Sequence, residues 1–224
     1  MGAGGRGVQR TAPQHAARTL QVSGIGSGVW GGGSPGSTPL DPDEAERLLP
    51  SHVTTQGELN AWEQLNIARA DAWAISRRRR HASTILGIDF AVGLHRRMFD
   101  RTWTWAGMYR NSGKNLGVPA AAVRIALPQR LAEAAFWLAE RTYELDEIAA
   151  RLHYQLVVVH PWPNGNGRWS RLMADTLLHA ERQPRFSWGG NDLDHATNAR
   201  TNYLAALRAA DNGDFSPLLA LVRR

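Results

Sequence analysis

The chain of 224 residues contains no cysteine and a single lysine, Lys114. The absence of cysteine excludes disulfide bonds, thiolate nucleophiles and cysteine-ligated zinc sites. No segment approaches the roughly 20 apolar residues that a membrane-spanning helix needs, and the N-terminus lacks the apolar core of a signal peptide. Because 43% of the residues are hydrophobic, most of the chain should fold around a core of ordinary size. We therefore expect a globular, cytoplasmic protein without a membrane partner.

The positive charge of the chain is carried almost entirely by arginine. A net charge of +6 and a pI near 10.6 suggest a nucleic-acid partner. However, the arginines alternate with acidic residues along the predicted helices. The one concentrated run, at 77–80, falls at the predicted end of a long helix, where cations complement the helix dipole. The sequence therefore favours a solvated helix end, and no nucleic-acid partner is expected.

The chain divides into three parts by composition and hydrophobic periodicity. Residues 1–37 are rich in glycine and serine and predict a disordered tail, residues 38–85 predict N-terminal helices, and residues 86–224 predict a core with closing helices. Residues 109–119 break the helical pattern and predict an extended loop or a small hairpin. The fold class is therefore all-α with one irregular excursion. Helices are predicted at 41–49, 56–80, 88–99, 127–142, 146–159, 168–182, 194–210 and 215–222.

One short segment combines an imidazole, amides, glycines and guanidiniums within twelve positions. The predicted helix 146–159 ends just before it, and the next predicted helix begins near Arg168. At a helix N-terminus the backbone N–H groups converge on anions, and glycine lets the backbone approach a phosphate closely. The segment therefore predicts a phosphate-binding loop. Its members are His160, Asn164, Gly165, Asn166, Gly167, Arg168 and Arg171.

The same segment also offers the groups that a transfer reaction requires. Arg168 and Arg171 are three residues apart and can project from one helix face toward phosphate oxygens. His160, with an unperturbed pKa of about 6.5, can accept a proton from an attacking hydroxyl. A lone histidine at a helix end is usually a core or capping residue, and a Gly-Asn-Gly loop is usually a tight connection. Their combination at this spacing favours phosphoryl or nucleotidyl transfer.

The segment closely resembles the Fic-domain signature, His-x-Phe-x-(Asp/Glu)-Gly-Asn-Gly-Arg-x-x-Arg. The similarity covers most of the chain from Leu40 onward, through 94–99, 105–110 and 203–218. The overall pattern is most similar to the Fic subgroup called mobile mystery protein B. This resemblance implies a Fic-type helical bundle with a short β-hairpin-like flap. It also suggests a helix-turn-helix companion protein.

The resemblance implies a protein adenylyltransferase that uses ATP and Mg²⁺ to modify a Ser, Thr or Tyr hydroxyl of a target protein. In this sequence His160 would be the base, and residues 165–167 the anion hole. Arg168 and Arg171 would clamp the phosphates. The remaining implied residues are Tyr203 and Asp211 in the adenine pocket, and Lys114, Asn115, Leu116 and Gly117 in a flap that binds the target by strand addition.

Two positions depart from the Fic signature. Trp162 replaces the phenylalanine that anchors the loop in the core. Asn164 replaces the acidic metal ligand, and although an amide oxygen can coordinate Mg²⁺, it carries no charge. Asn164 therefore keeps two alternatives open beside AMP transfer: a kinase or other phosphate-group transferase, and a non-catalytic nucleotide-binding regulator.

Glu58 has two interpretations. Thr54 and Glu58 have the spacing of the family's inhibitory (Ser/Thr)-x-x-x-Glu-(Gly/Asn) motif, although Leu59 breaks its last position. In that interpretation Glu58 pairs with Arg171 and blocks the γ-phosphate position. In the other, Glu58 lies in the first turn of a helix, where a carboxylate is favoured by the dipole.

Overall fold

The computed structural model describes Met1 and residues 42–76, 80–190, 193 and 198–224. The predicted disordered tail at 1–37 therefore lies outside the described residues, apart from Met1, and so do 77–79 and 194–197. The described residues are mainly helical and contain no strand, which confirms the all-α class. The helices are α1 (Pro42–Ala45), α2 (Gln56–Ala74), α3 (Ala82–Ile85), α4 (Ile88–Phe99), α5 (Val123–Glu140), α6 (Leu145–Val159), α7 (Asn166–Ala180), α8 (Asn198–Asp211) and α9 (Ser216–Val222).

The end of α2 corrects the sequence-based prediction. Helix α4 has the predicted bounds, but α2 ends at Ala74 and does not continue to Arg80. Arg80 instead returns to the end of α2, where its Nη1 donates to the carbonyls of Trp73 and Ala74 at 2.8 and 2.7 Å. These carbonyls are thus satisfied by a side chain in place of a continuing backbone. The cation still complements the helix dipole, as the sequence suggested.

Helices α6 and α7 pack against each other at the centre of the fold and contribute to two hydrophobic cores. One core lies toward α2, α4 and α5 and includes Leu152, Leu156 and Met173. The other lies toward α8 and α9 and includes Ala149 and Ala174. Both helices are therefore held on opposite sides, and the short connection between them contributes Trp162 to the first core.

The irregular excursion at 109–119 is a loop. Of the two predicted alternatives, the structure shows a loop, which bends at 112 and at 115–118, and not the small hairpin, since this segment contains no strand. A 3₁₀ turn at Ala120–Ala122 then leads into α5. The segment before the loop is tied to the N-terminal region by an isolated antiparallel bridge between Leu48 and Trp103. Within the described part of the chain, none of the helices combines the length and apolar character that crossing a membrane requires.

Candidate active site

The connection between α6 and α7 is bracketed by two residues in the left-handed conformation. His160 ends α6 with φ 51° and ψ 61°, and Gly165 precedes α7 with φ 77°. Helix α7 begins at Asn166, earlier than predicted, so residues 166–168 form its first turn. Backbone N–H groups of the first turn of a helix have no partner within the helix. The loop thus offers donors for an anion.

Asn166 and Gly165 fix the shape of this loop. The Asn166 side chain is buried; its Oδ1 accepts from the backbone N–H of Trp162, and its Nδ2 donates to the Trp162 carbonyl, both at 2.9 Å. The side chain of Asn166 therefore holds the loop, and only its backbone N–H is directed to an anion. A Cβ on Gly165 would lie 2.4 Å from the Phe99 ring, so this position requires glycine for space as well as for φ.

His95 on α4 supports the loop from below, a role that the sequence did not predict. The backbone N–H of Gly107 donates to His95 Nδ1 at 3.0 Å, so the ring proton must be on Nε2, which donates to the Asn164 carbonyl at 3.1 Å. Complete burial lowers the pKa of His95 to about 3, which keeps the ring neutral. The only sequence signal was a histidine on the apolar face of an amphipathic helix.

Trp162 fills the position of the signature's phenylalanine without leaving the core. Its side chain is fully buried. The indole stacks on His95 at 4.4 Å and on Tyr109 at 5.2 Å, and it meets Trp169 edge-on at 5.3 Å. The larger ring is therefore accommodated, and it links α4, the 109–119 loop and α7 at the site.

His160 lies against the 109–119 loop and is only 4% exposed. Burial is the main cause that lowers its pKa to about 3, and the positive charge of Arg110 adds to the effect. A Cβ on Gly117 would lie 2.6 Å from the His160 Cβ, so the loop packs closely against the base of this side chain. The histidine is therefore neutral and able to accept a proton.

The other predicted flap residues are placed differently from one another. Lys114 is not presented to a partner: its Nζ lies 2.5 Å from Glu44 Oε2 of α1, and both side chains are almost fully buried. Asn115 is exposed, and Leu116 is half-buried. Lys114 therefore anchors the loop to the N-terminal region, while Asn115 is available to solvent.

The two motif arginines lie on the face of α7 that points to α2. Arg168 Nη1 forms an ion pair with Glu63 Oε2 at 2.6 Å, and Trp103 Nε1 donates to the other Glu63 oxygen at 2.7 Å. Arg171 reaches back toward Gly167, where its Nη1 is 3.8 Å from the position of an added Cβ. Both arginines line a cavity of about 300 Å³ between α2 and α7, together with Gln64, Ile67, Ala68, Asp71, Leu172, Asp175, Arg185 and Trp188.

Glu58 caps the start of α2. Its Oε2 accepts from the backbone N–H groups of Thr54 and Thr55 at 2.8 and 3.0 Å, and this capping box starts α2. These hydrogen bonds lower its pKa, with Thr54 as the largest cause. The expected pair of Glu58 with Arg171 does not form among the described residues, because the carboxylate is turned to its own helix end. Glu63, one turn further along α2, is the acid that reaches a motif arginine.

The side chains around Asn164 do not form an Mg²⁺ site from protein ligands alone. Asn164 Oδ1 accepts from the N–H of Gly165 at 2.5 Å, so the side-chain oxygen at the signature's metal position already has a hydrogen bond. The described residues contain no cluster of three acidic or histidine side chains that could hold a metal. The residues present therefore do not fit the metal ligand set that the resemblance implied.

Tyr203 and Asp211 both contact α6, and Tyr203 does so through His153, whose ring also meets the cavity residue Trp188 at 4.7 Å. The Tyr203 hydroxyl lies 2.9 Å from Nε2 of His153 in the second core, and Asp211 Oδ1 accepts from the Tyr154 hydroxyl at 2.8 Å. His153 and Tyr154 precede His160 by about two turns, roughly 10 Å along the helix. The structure thus brings Arg168 and Arg171 to one cavity, places His160 in the connection before them, and joins Tyr203 and Asp211 to α6 about two turns before His160.

Comparison with known proteins identifies this arrangement. Residues 86–178, which include the loop, match the model of the Fic/DOC family. These residues form a Fic/DOC family domain. Two relatives are a protein of Caenorhabditis briggsae named protein adenylyltransferase fic-1 (29% identity, 62% of this chain, 27% of that protein) and one of Nematostella vectensis named protein adenylyltransferase Fic (28%, 63% and 33%). The chain thus spans about a third or less of these relatives' length.

Solved structures share the fold of this Fic domain and its neighbouring helices. Fic-1 of C. elegans aligns over 80% of this chain and 51% of that chain with a TM-score of 0.57 and 24% identity. BepC from Bartonella tribocorum with bound AMPPNP aligns over 82% and 97% with a TM-score of 0.59 and 15% identity. The predicted Fic-type helical bundle is therefore confirmed.

Proposed function

We propose that this chain is a protein adenylyltransferase, which transfers AMP from ATP to a hydroxyl of a target protein. The observation that carries the proposal is the short α6–α7 connection, in which His160 ends α6 and Gly165 precedes the first turn of α7. The names of the relatives and the nucleotide-bound Fic folds support a nucleotide substrate. Nucleotide would lie against the backbone N–H groups of 166–168, with Arg168 and Arg171 at its phosphates.

The reaction assigns one role to each group. The target hydroxyl oxygen attacks the α-phosphorus, His160 accepts the hydroxyl proton, and the bond from the α-phosphorus to the bridging oxygen breaks, so that pyrophosphate leaves. The arginines offset the negative charge on the phosphate oxygens. Burial lowers the pKa of His160 and keeps the imidazole neutral, so that it can accept this proton.

This mechanism includes no step through a metal, because the residues around Asn164 do not form a metal site. The Mg²⁺ expected from the resemblance would therefore depend on oxygens that the nucleotide brings. An Asp at this position would add a charged ligand. Because of Asn164, the metal requirement is the part of the proposal that departs most from the Fic signature.

Labelled nucleotide tests the transferred group. Purified protein is incubated with cell lysate and with either α-labelled or γ-labelled ATP. Protein labelled from the α position only, and unlabelled with His160→Ala, supports AMP transfer. Label from the γ position identifies a kinase instead. Binding of ATP without label from either position favours a non-catalytic nucleotide-binding regulator. This is the second candidate because His160 is deeply buried.

The identity of the target and the setting of the protein are further proposals. We propose that an extended Ser-, Thr- or Tyr-containing segment binds along the exposed side of the 109–119 loop near Asn115. On the resemblance of the sequence, we place the chain in the mobile mystery protein B subgroup, in the cytoplasm, with a helix-turn-helix companion. Affinity purification of the tagged full chain from its host, with and without His160→Ala, would test both the companion and the target.

A further inference from the structure

Arg110 is a buried arginine at the start of the 109–119 loop, with 3% of its surface exposed. Its guanidinium donates to three backbone carbonyls: Nε to His160 at 2.6 Å, Nη1 to Ser112 at 2.9 Å, and Nη2 to Val118. Its own backbone N–H donates to the Pro161 carbonyl at 3.0 Å. One side chain therefore joins both ends of the loop to the residue that ends α6.

This environment is unusual for an arginine. Buried guanidiniums are normally paired with carboxylates, whereas the contacts of Arg110 in the described part of the chain are carbonyl oxygens. Burial consequently lowers the pKa of Arg110. A planar group with five N–H donors can bond three carbonyls that diverge in direction, which a lysine ammonium cannot reproduce with the same geometry. The loop is thus shaped around this one guanidinium.

Gly117 completes the arrangement. A Cβ at this position would lie 2.6 Å from the His160 Cβ and 2.8 Å from Arg110 Nη2. The glycine has φ +105°, which a residue with a side chain rarely adopts. The loop can therefore approach the histidine closely only here, at the point where Arg110 holds the neighbouring Val118.

We propose that Arg110 is a positioning residue that fixes His160 in its left-handed helix-ending conformation and holds residues 112–118 in register over it. The inference rests on the proposed adenylyl transfer for its functional consequence. The hydroxyl of a target bound along this loop would then meet the imidazole at a defined distance. Because a small displacement of the reacting groups slows the chemical step strongly, loss of Arg110 would act mainly on the rate of that step.

Arg110 also influences the protonation of His160. The charged groups that face this imidazole are Arg110 and Lys114 of the loop, and Lys114 is paired with Glu44 of α1. After burial, the charge of Arg110 is the largest cause that lowers the pKa of His160. Arg110→Met removes both the charge and the three hydrogen bonds. Arg110→Lys keeps the charge but lacks the planar set of N–H donors that bonds the three carbonyls. The two variants therefore separate electrostatics from geometry.

The test compares the full-length protein with Arg110→Met, Arg110→Lys and the control Arg124→Met. Arg124 is exposed, and its guanidinium lies 5.0 Å from the Tyr109 ring. NMR of labelled histidine gives the pKa of His160, with the signal assigned by its loss in His160→Gln. Hydrogen exchange reports the mobility of a peptide at 111–119. Transfer assays give kcat and the KM for ATP.

We expect Arg110→Met to raise the pKa of His160 by about one unit or more and to speed exchange at 111–119 by about tenfold or more. Arg110→Lys should speed exchange with little change in this pKa. Both should lower kcat by about tenfold or more while leaving the KM for ATP nearly unchanged. Arg124→Met should match the wild type in all three measurements.

Two outcomes would overturn the inference. One is a hydrogen-exchange rate at 111–119 in Arg110→Lys that equals the wild-type rate. This variant keeps the charge, so it serves as the milder change if Arg110→Met does not fold. The other is a kcat that is unaffected in a folded Arg110 variant. The exchange and pKa measurements need no enzymatic activity. Absence of AMP transfer in the wild type would therefore reject the proposed function, and these two measurements would still test the positioning role of Arg110.

Discussion

Glu63 of α2 holds Arg168 of the loop–helix motif through an ion pair of 2.6 Å, in which the side chains are 7% and 21% exposed. The residues are 105 positions apart in the chain. The pair joins the N-terminal helix to the proposed phosphate site, and a bound phosphate would compete with Glu63 for the same guanidinium. We therefore expect the N-terminal part of the chain to be electrostatically coupled to the proposed nucleotide binding.

Glu63→Gln should therefore strengthen ATP binding. The amide keeps the approximate shape and can still accept from Trp103, but it no longer pairs with Arg168 as an anion. We expect the Kd for ATP to fall by up to about tenfold, at a loss of roughly 1–3 kcal/mol in the free energy of unfolding. Isothermal titration and urea unfolding measure these two quantities.

Glu58→Gln is the matched control for this substitution. It makes the same change on the same helix, but Glu58 is exposed and bonds only its own helix end. ATP affinity should therefore stay at the wild-type value. If Glu58→Gln strengthened ATP binding and Glu63→Gln did not, the inhibitory interpretation of Glu58 would return and the competition at Arg168 would be wrong.

Gly165→Ala should disrupt the loop. The added Cβ would lie 2.4 Å from the Phe99 ring, and alanine is strained at φ 77°. The two effects together should lower the free energy of unfolding by roughly 2–5 kcal/mol. Gly113→Ala is the control, since nothing lies within 4 Å of a Cβ there, and it should change stability by about 0.5 kcal/mol or less. Similar unfolding curves for the two variants would contradict the proposed tight loop.

Stability should decrease in mild acid because three histidines are buried and neutral. His95, His153 and His160 each have a pKa lowered from 6.5 to about 3, with burial as the main cause. The unfolded chain therefore binds more protons than the folded one between these values. Stability is complete above about pH 6.5 and falls as pH drops toward 3, by at most about 1.4 kcal/mol per pH unit for each group.

Urea unfolding between pH 7.5 and 5 measures this dependence. His153→Gln should lower the pH slope by roughly one third, whatever it does to stability at pH 7.5. His153 is suited to this test because its ring contacts Tyr203 and Trp188 and lies outside the α6–α7 loop. An unchanged slope in this variant would show that His153 does not titrate as a buried neutral group.

Asn164→Asp should change the metal requirement of transfer. A carboxylate supplies a charged oxygen ligand in place of the neutral amide oxygen that already accepts from Gly165. We expect the Mg²⁺ concentration for half-maximal transfer to fall by about tenfold. Asn115→Asp, at an exposed loop position, should leave it unchanged. Equal Mg²⁺ dependence in the wild type and Asn164→Asp would mean that this position does not contact the metal.

Features that depend on neighbours in sequence were predictable. The bounds of α4 follow from its amphipathic period, and the turn at His160–Gly165 follows from prolines and glycines between two apolar helices. The capping box of Glu58 follows from Thr55 three residues earlier. The end of α2 was predicted wrongly, because Arg80 satisfies its carbonyls from outside the helix, and no periodicity within the helix encodes that return.

The sequence by itself determined the all-α class and the glycine-containing loop between two helices, which is predicted to bind phosphate. Periodicity, glycine positions and helix ends act over a few residues, so they can be read from the sequence. Only the tertiary structure decided which side chains serve that loop: His95 on the Asn164 carbonyl, Glu63 on Arg168 and Glu44 on Lys114. These partners lie 69 to 105 residues apart. They meet because the two cores fix the helices around α6 and α7, and burial then removes the water that would otherwise solvate each charge.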